Sequence, residues 1–214
     1  MGWRLIKDRK GFTGLEAAIV LIAFVTVAAI FSYVMLGAGF YTAQKSKQSV
    51  DTGVKQASSA LEMDGQYIYL RANKTGSDGD VKRIFFYVTL TAGGTPVDLN
   101  KTVLAIRWQN YYYQIPFNES ANIAVNETNM DKPWAYEGIV TVDTNGFDNL
   151  LEKNEKYKII IDMEAIRDSP AYGNGNIQLP KTNDDITIEL KPSIGAPLII
   201  NKHIPPSLTN VTWV

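Results

Sequence analysis

The 214-residue sequence contains no cysteine and a single histidine, His203. The lack of cysteine excludes disulfides, thiolate metal sites, iron–sulfur ligation and cysteine nucleophiles. A single histidine excludes a multi-histidine zinc site and any mechanism that needs two imidazoles. The 21 Lys and Arg nearly balance the 22 Asp and Glu, so the basic signature of a nucleic-acid-binding protein is also missing.

Instead of these features, the chain has a long apolar segment near its N-terminus. No charged residue occurs from Ala17 to Gly39, a run of 23 residues. As a helix, such a run is long enough to span the roughly 30 Å of hydrocarbon in a bilayer. It is also longer than the apolar region of about 7–15 residues in a cleaved secretory signal. Basic residues precede the run and a long chain follows it, so we expect a cytoplasmic N-terminus and an external remainder.

The helical pattern continues beyond the apolar segment. Apolar residues recur four, three and four positions apart, on one face of a helix, at Val50, Val54, Ala57 and Leu61. No proline interrupts this part of the chain. We therefore predict one helix from about Thr13 to about Met63, with a first half suited to lipid and an amphipathic second half.

Glu16 lies just inside the apolar segment. An ionised carboxylate in hydrocarbon costs at least a few kcal/mol unless it finds a partner. Two interpretations stay open: Glu16 is solvated near the headgroups, or it meets a positive charge supplied by another group. A new α-amino group would be such a charge, since cleavage after Gly11 creates one at Phe12, four residues before Glu16.

The segment Lys10-Gly11-Phe12-Thr13-Gly14-Leu15-Glu16, followed by the apolar helix, resembles the class III signal of type IV pilin-like proteins. The resemblance implies that a prepilin-type signal peptidase cuts after Gly11 on the cytoplasmic side. Lys10 and Gly11 then form the cleavage motif, and Phe12 becomes the new N-terminus. Glu16 corresponds to the acidic residue at mature position five, which would act in docking and axial register together with the Phe12 amine.

Within that superfamily the chain resembles the archaellins, the archaeal flagellins. Residues 11–36 resemble archaellin N-termini almost throughout, and the segment Ser193–Ile200 with the prolines that follow it resembles archaellin endings. The domains that this resemblance implies are a signal peptide at 1–11, a helix at 12–63 that is first a membrane anchor and then a filament core, and an outer domain at 64–214.

The resemblance also implies a structural role as a filament subunit of the archaeal flagellum, or archaellum, in swimming. The chain would polymerise through its helix into an open helical filament outside the cell, with or without paralogous archaellins. The implied partners are the signal peptidase, a membrane assembly platform and its ATPase. Before assembly the precursor would lie in the cell membrane. The resemblance implies no cofactor.

Beyond Asp64-Gly65 the apolar residues change to a period of two, which is typical of strands. Glycine-rich and Asn-Gly turn signals separate the strand candidates, and no second long helical pattern occurs. We therefore predict an α+β fold, in which the long N-terminal helix precedes an antiparallel, immunoglobulin-like β-sandwich. The eight strand candidates are Gln66–Ala72, Val81–Thr91, Thr102–Gln109, Tyr111–Phe117, Tyr136–Asp143, Tyr157–Asp162, Asp185–Leu190 and Leu198–Asn201.

Five N-x-[ST] sequons follow the apolar segment, where chance predicts about two. We interpret the excess as a glycosylated, extracellular surface. The alternative is that asparagine and threonine simply enrich polar loops. The candidate acceptors are Asn73, Asn100, Asn118, Asn126 and Asn210.

Residues that could carry chemistry are otherwise sparse. Asp78-Gly79-Asp80 and the segment Asp143–Asp148 place oxygen ligands in turns that would suit calcium, but neither has the spacing of a full calcium loop, so we expect solvated turns. His203 has no evident serine or aspartate partner, and we expect a solitary surface histidine rather than a catalytic base. The run Tyr111–Tyr113 lacks a basic cluster, which favours packing in the core or between subunits over stacking on nucleic acid.

Three functions stay open at this point. The first is the swimming filament, the second is an adhesion pilin of the same superfamily, and the third is a membrane-anchored binding module that never polymerises. The C-terminal segment Gly-Ala-Pro-Leu favours the swimming filament over the adhesion pilin. An uncut N-terminus in the mature protein would identify the third. An enzyme is not expected, because no nucleophile–base pair or metal cluster can be assembled from these residues.

Overall fold

The computed structural model describes residues 7–58, 61–117, 132–142 and 148–214. The chain divides into two compact units, Met1–Thr52 and Gly53–Val214. The described part of the first unit is helical, and the second unit contains the end of that helix and the strands.

Helix α1 (Lys7–Ser58) has 52 residues, which at 1.5 Å per residue corresponds to about 78 Å. The sequence predicts that this helix continues to about Met63, and that prediction is wrong by several residues. Leu61–Met63 forms a strand instead, in which Leu61 pairs with Leu90 and is buried. In the sequence, Leu61 extends the helical spacing of apolar residues. Burial in the sheet stabilises this residue more than one further position on the helix would, so Leu61 lies in a strand.

The strands of the second unit alternate in burial, as a two-residue period requires. A one-turn 3-10 helix lies at Leu99–Lys101, and a short helix α2 at Met163–Asp168. The strands are β1 (Leu61–Met63), β2 (Tyr69–Lys74), β3 (Asp80–Leu90), β4 (Val97–Asp98), β5 (Val103–Trp108), β6 (Tyr111–Pro116), β7 (Trp134–Val140), β8 (Leu150–Leu151), β9 (Lys156–Asp162), β10 (Asp185–Lys191), β11 (Leu198–His203) and β12 (Val211–Trp213).

Two antiparallel sheets account for most of these strands. The first sheet has the order β12-β2-β3-β9-β7, and β1 pairs with the end of β3 on the edge opposite to β9. The second sheet has the order β11-β10-β5-β6, and β4 pairs with β8 separately. The predicted α+β class, a long N-terminal helix followed by an antiparallel sandwich, is confirmed.

One core lies between the two sheets. Leu70, Ile84 and Phe86 of the first sheet belong to the same buried cluster as Ile106 and Ile188 of the second. Burial of each such side chain stabilises the fold by about 1.5–3 kcal/mol. The two buried tryptophans keep their indole N–H groups satisfied: Trp108 donates to the Gln178 carbonyl at 2.9 Å, and Trp134 donates to the Ile115 carbonyl at 3.0 Å.

A buried ion pair lies on the other face of the first sheet. Arg83 Nε donates to Asp162 Oδ2 at 2.7 Å, and the two side chains are 10% and 3% exposed. The second carboxylate oxygen of Asp162 accepts from the Ala165 backbone N–H at 3.0 Å and so caps helix α2. Asp162 therefore joins β3 to β9 and fixes the start of α2.

We expect Asp162→Asn to destabilise the sandwich by about 3–5 kcal/mol, because it leaves the Arg83 charge buried without its counterion. The measurement is denaturant unfolding of the detergent-solubilised full chain, followed by tryptophan fluorescence. The matched control is Asp168→Asn, which removes an exposed carboxylate from the pair with Arg167 and should leave the unfolding midpoint nearly unchanged. Equal effects of the two substitutions would contradict the role given to Asp162.

Candidate assembly and modification sites

The surface of α1 is the most unusual feature of the described chain. Every described side chain from Gly14 to Val54 is exposed, and the large apolar ones are 54% to 80% exposed. By length and composition this is one helix that could cross a membrane. A soluble monomer rarely exposes so large an apolar surface, so this surface needs either lipid or another protein surface to cover it.

Polar side chains within this helix bond to its own backbone. The hydroxyl of Thr26, inside the charge-free run, donates to the Ala23 carbonyl at 2.9 Å. Thr42 donates in the same way to the Ala38 carbonyl, and Thr52 to the Gln48 carbonyl. A hydroxyl that is satisfied within its own helix can enter an apolar environment at little cost.

The predicted cleavage motif has a helical backbone. Lys10, Gly11 and Phe12 all lie within α1, which begins earlier than the sequence predicts, at Lys7. Backbone groups in a helix interior are hydrogen-bonded along the chain, so a peptidase acting at the predicted site would have to open a turn to reach the bond after Gly11. Glycine makes such an opening easier, because it destabilises a helix interior by about 0.5–1 kcal/mol relative to alanine.

Glu16 is exposed on α1. Among the described residues, none forms an ion pair with it. Phe12 and Glu16 are four residues apart in one helix, a spacing that places them on the same face. An amine created at Phe12 would therefore lie within one turn of this carboxylate.

Two of the predicted glycosylation sites are open to solvent. Asn73, at the end of β2, is exposed, and its side-chain amide makes only a long contact of 3.5 Å with Asp80 Oδ2. Asn210 precedes β12 and is also exposed; its backbone carbonyl accepts from the Ala72 N–H at 3.1 Å. Both side chains are therefore accessible on the folded sandwich.

Asn100 is placed differently. It lies in the 3-10 turn, is half-buried, and its side-chain oxygen accepts from the buried Tyr136 hydroxyl at 2.6 Å. The hydroxyl residue of its sequon, Thr102, is only 1% exposed and donates to the Asp98 carbonyl. Asn100 thus holds the turn onto the core, and the hydroxyl residue of its sequon is not presented to solvent.

Asp98 fixes the same turn. Its carboxylate accepts from the Asn100 backbone N–H at 3.0 Å and from the Asn149 amide at 2.8 Å, and it pairs with Lys101 at 2.7 Å. Burial of Asp98 acts to raise its pKa, but the hydrogen bonds from Lys101 and Asn149 outweigh burial and hold the pKa below the usual value of a carboxyl. The turn that carries Asn100 is therefore held by a charged network.

The remaining predicted sites are less informative. Asn118, Asn126 and most of the segment 143–148 lie outside the described residues. In the other candidate calcium turn, Asp78 pairs with Lys74 at 2.7 Å. No group of three or more His, Asp or Glu side chains with metal-binding geometry occurs in the part of the chain that the structure describes.

His203 and the tyrosine run differ in part from expectation. His203 has a partner that the sequence does not reveal, because its Nδ1 lies 2.8 Å from Asp185 Oδ1 across the β10–β11 pair. Both side chains are more than half exposed. Tyr111 and Tyr113 pack their rings against Trp108 at 5.4 and 5.8 Å, as core packing predicts, whereas Tyr112 is exposed.

Comparison with known proteins gives one consistent result. A family model for archaeal-type flagellin matches residues 11–202. Probable flagellin 2 of Archaeoglobus fulgidus is 55% identical over 217 residues, which cover 99% of this chain and 97% of the relative. Probable flagellin 1 of the same organism is 40% identical, with coverage of 99% and 98%. Among solved structures, the archaeal flagellum of Methanospirillum hungatei strain JF1 is similar with a TM-score of 0.63 and 32% identity, covering 91% of this chain and 95% of that one.

We expect glycans on Asn73 and Asn210 and none on Asn100, because only the first two present their side chains on the folded sandwich. Glycopeptide mass spectrometry of the mature protein measures this directly. Asn73→Gln should remove one glycan with little effect on unfolding. Asn100→Gln should leave the glycan mass unchanged and destabilise the fold by about 1 kcal/mol, through loss of the Tyr136 hydrogen bond. A glycan on Asn100 would instead mean that transfer precedes folding.

Proposed function

The chain belongs to the archaeal-type flagellin family, and on that premise we propose how it reaches its place in a filament. It is a structural subunit of the archaeal flagellum filament, which lies outside the cell and serves motility. This function is favoured over an adhesion pilin and over a monomeric binding module, because the matched family and relatives are flagellins. The structural observation that carries the proposal is the continuous apolar surface of α1.

Before assembly, the precursor lies in the cell membrane with α1 across the bilayer. The charge-free run from Ala17 to Gly39 has the length of a span, and the basic residues before it keep the N-terminus in the cytoplasm. Exposure of this helix to water is prohibitive, since each large apolar side chain gains about 1.5–3 kcal/mol on burial. The membrane therefore solvates the helix until the subunit is assembled.

A prepilin-type signal peptidase then cuts after Gly11. Lys10 and Gly11 form the motif that it recognises, and removal of residues 1–11 takes away the basic segment that holds the helix to the cytoplasmic side. The helical backbone at Gly11 means that the enzyme opens the first turns of α1 before it cuts. The mature chain begins at Phe12.

After cleavage, helices of many copies pack on one another instead of on lipid. The gain in apolar burial over the bilayer is small, because lipid tails already solvate the helix. Extraction of the helix from the bilayer therefore needs energy from outside the chain, and we propose that a membrane assembly platform and its ATPase supply it. Head-to-tail addition without closure produces an open helix of copies, and paralogous flagellins are natural co-subunits.

Glu16 acts in this step through the Phe12 amine. Without a cationic partner in the described part of its own chain, the carboxylate would enter an apolar core at a cost of a few kcal/mol. The amine of a docking neighbour, or the subunit's own amine one turn away, neutralises it. A buried pair of this kind gains little net stability after desolvation, so its effect is on axial register rather than on strength.

N-terminal sequencing of the chain from sheared filaments should begin at Phe12. Gly11→Val should leave the uncut precursor in the membrane, because the peptidase loses both the small residue and the easily opened turn. Gly14→Ala is the matched control, since it changes a glycine three residues beyond the cut and should be processed normally. Filaments built from a chain that still carries residues 1–11 would refute the proposed processing.

Glu16→Gln should be cleaved normally and yet enter filaments poorly when it competes with wild-type chain in the same cells. The control is Asp51→Asn, which neutralises an exposed carboxylate of the same helix beyond the apolar run. The measurement is the ratio of variant to wild-type peptide in membranes and in sheared filaments. Equal incorporation of Glu16→Gln and Asp51→Asn would contradict the role given to Glu16.

A further inference from the structure

The sandwich exposes two outer faces of different character. The first sheet presents five aromatic side chains on the face away from the core, at Tyr67, Tyr69, Phe85, Tyr87 and Trp213, and we call this set the aromatic face. Tyr67 packs edge-on against Trp213 at 4.9 Å, and Tyr69 stacks on Phe85 at 5.0 Å with an interplanar angle of 7°. Tyr87 adds an edge contact to Tyr69 at 6.1 Å.

Strand register extends this face into a continuous apolar row. Trp213 pairs with Tyr69, Tyr69 with Phe85, Phe85 with Ile160, and Ile160 with Ala135, across five strands. Ile160 and Ala135 are fully buried and form, with Phe85, a cluster separate from the main core. Lys158 lies over the Phe85 ring at 4.7 Å. Because Ile160 and Ala135 are already covered within the chain, the part of the row open to a partner is Trp213, Tyr69 and Phe85, where a sheet that faced water would place polar residues.

The second sheet follows that expectation, and we call its outer surface the polar face. The corresponding row pairs Tyr112 with Arg107, Arg107 with Thr187, and Thr187 with Asn201. In the next row Glu189 lies 3.1 Å from Lys191, and this pairing raises the pKa of the lysine amine. Ile199, which pairs with Glu189 and is 54% exposed, is an apolar exception on this face, so the two faces differ chiefly in the cluster of aromatic rings that only the first sheet presents.

We propose that the aromatic face is a subunit–subunit surface, occupied in the filament by a second copy of this chain. The inference rests on the proposed function, because a filament subunit is surrounded by copies of itself. The two exposed rings, Trp213 at 63% and Tyr67 at 48%, are the anchors. Aromatic side chains of this kind dominate the buried centre of protein interfaces. The polar face turns to solvent.

Hydroxyl-radical footprinting with mass spectrometry tests this on the full chain, in sheared native filaments and after dissociation into detergent. Tyr67 and Trp213 should react at least about fivefold more slowly in filaments, since water is excluded from an interface core. Tyr112 is the internal control: it is 52% exposed, close to the 48% of Tyr67, but lies on the polar face. Its reactivity should stay the same in both states.

A variant pair supplies the second measurement. Tyr67→Ser and Trp213→Ser should lower the temperature at which filaments dissociate, whereas Tyr112→Ser should not. Thermal unfolding of the dissociated chains should be similar for all three variants, which separates assembly from folding.

Filaments that contain the chain but leave Tyr67 and Trp213 as reactive as in the dissociated state would overturn the inference and leave the proposed function standing. Protection already complete in the dissociated chain would overturn it too. Absence of the chain from filaments would overturn both.

Discussion

Water is a poor solvent for the surface of α1, so this helix needs lipid or another protein to cover its apolar side chains. Its large apolar side chains are all exposed within the chain, and they gain most of their burial free energy only when something outside the chain covers them. Lipid and the helices of other copies are the two environments that meet this need. In the proposed sequence of steps, anchoring, processing and assembly would move one helix from the first environment to the second, and the Glu16 carboxylate would need a cationic partner in the second.

The sandwich, by contrast, is stabilised from within. In the described residues its buried apolar cluster runs from Leu61 to Leu208. Several of its buried polar groups are paired: Arg83 with Asp162, and Trp108 and Trp134 with backbone carbonyls. The two compact units therefore have different requirements, since the helix exposes its large apolar side chains and the sandwich buries most of its own.

Much of this could be predicted from the sequence, because the dominant signals are long. The 23-residue charge-free run and the change of period after Asp64 define the helix and the strands without any tertiary information. The helix end was misplaced because Leu61 satisfies a helical spacing and a strand pairing equally well, and only β3 decides between them. Strands β4, β8 and β12 are two or three residues long, too short to show alternation.

The candidate sites also divide into those that the local sequence predicts and those that depend on tertiary contacts. The cleavage motif and Glu16 are local in sequence, and the sequence names them. Burial of Thr102 and the bond from Tyr136 to Asn100 depend on residues far apart in the chain, so a sequon pattern cannot distinguish Asn100 from Asn73. The aromatic row is visible in sequence only as Tyr67 and Tyr69 alternating with Ile68 and Leu70; its continuation through Phe85 and Trp213 needs the register of three strands.

The hydroxyl of Thr26 is satisfied by the backbone of its own helix, and this has a consequence for the neighbours of α1. A hydroxyl that is satisfied in this way does not distinguish one apolar neighbour from another. Any choice between neighbouring helices must then come from other groups of the chain, such as the Glu16 carboxylate or the surface of the outer domain.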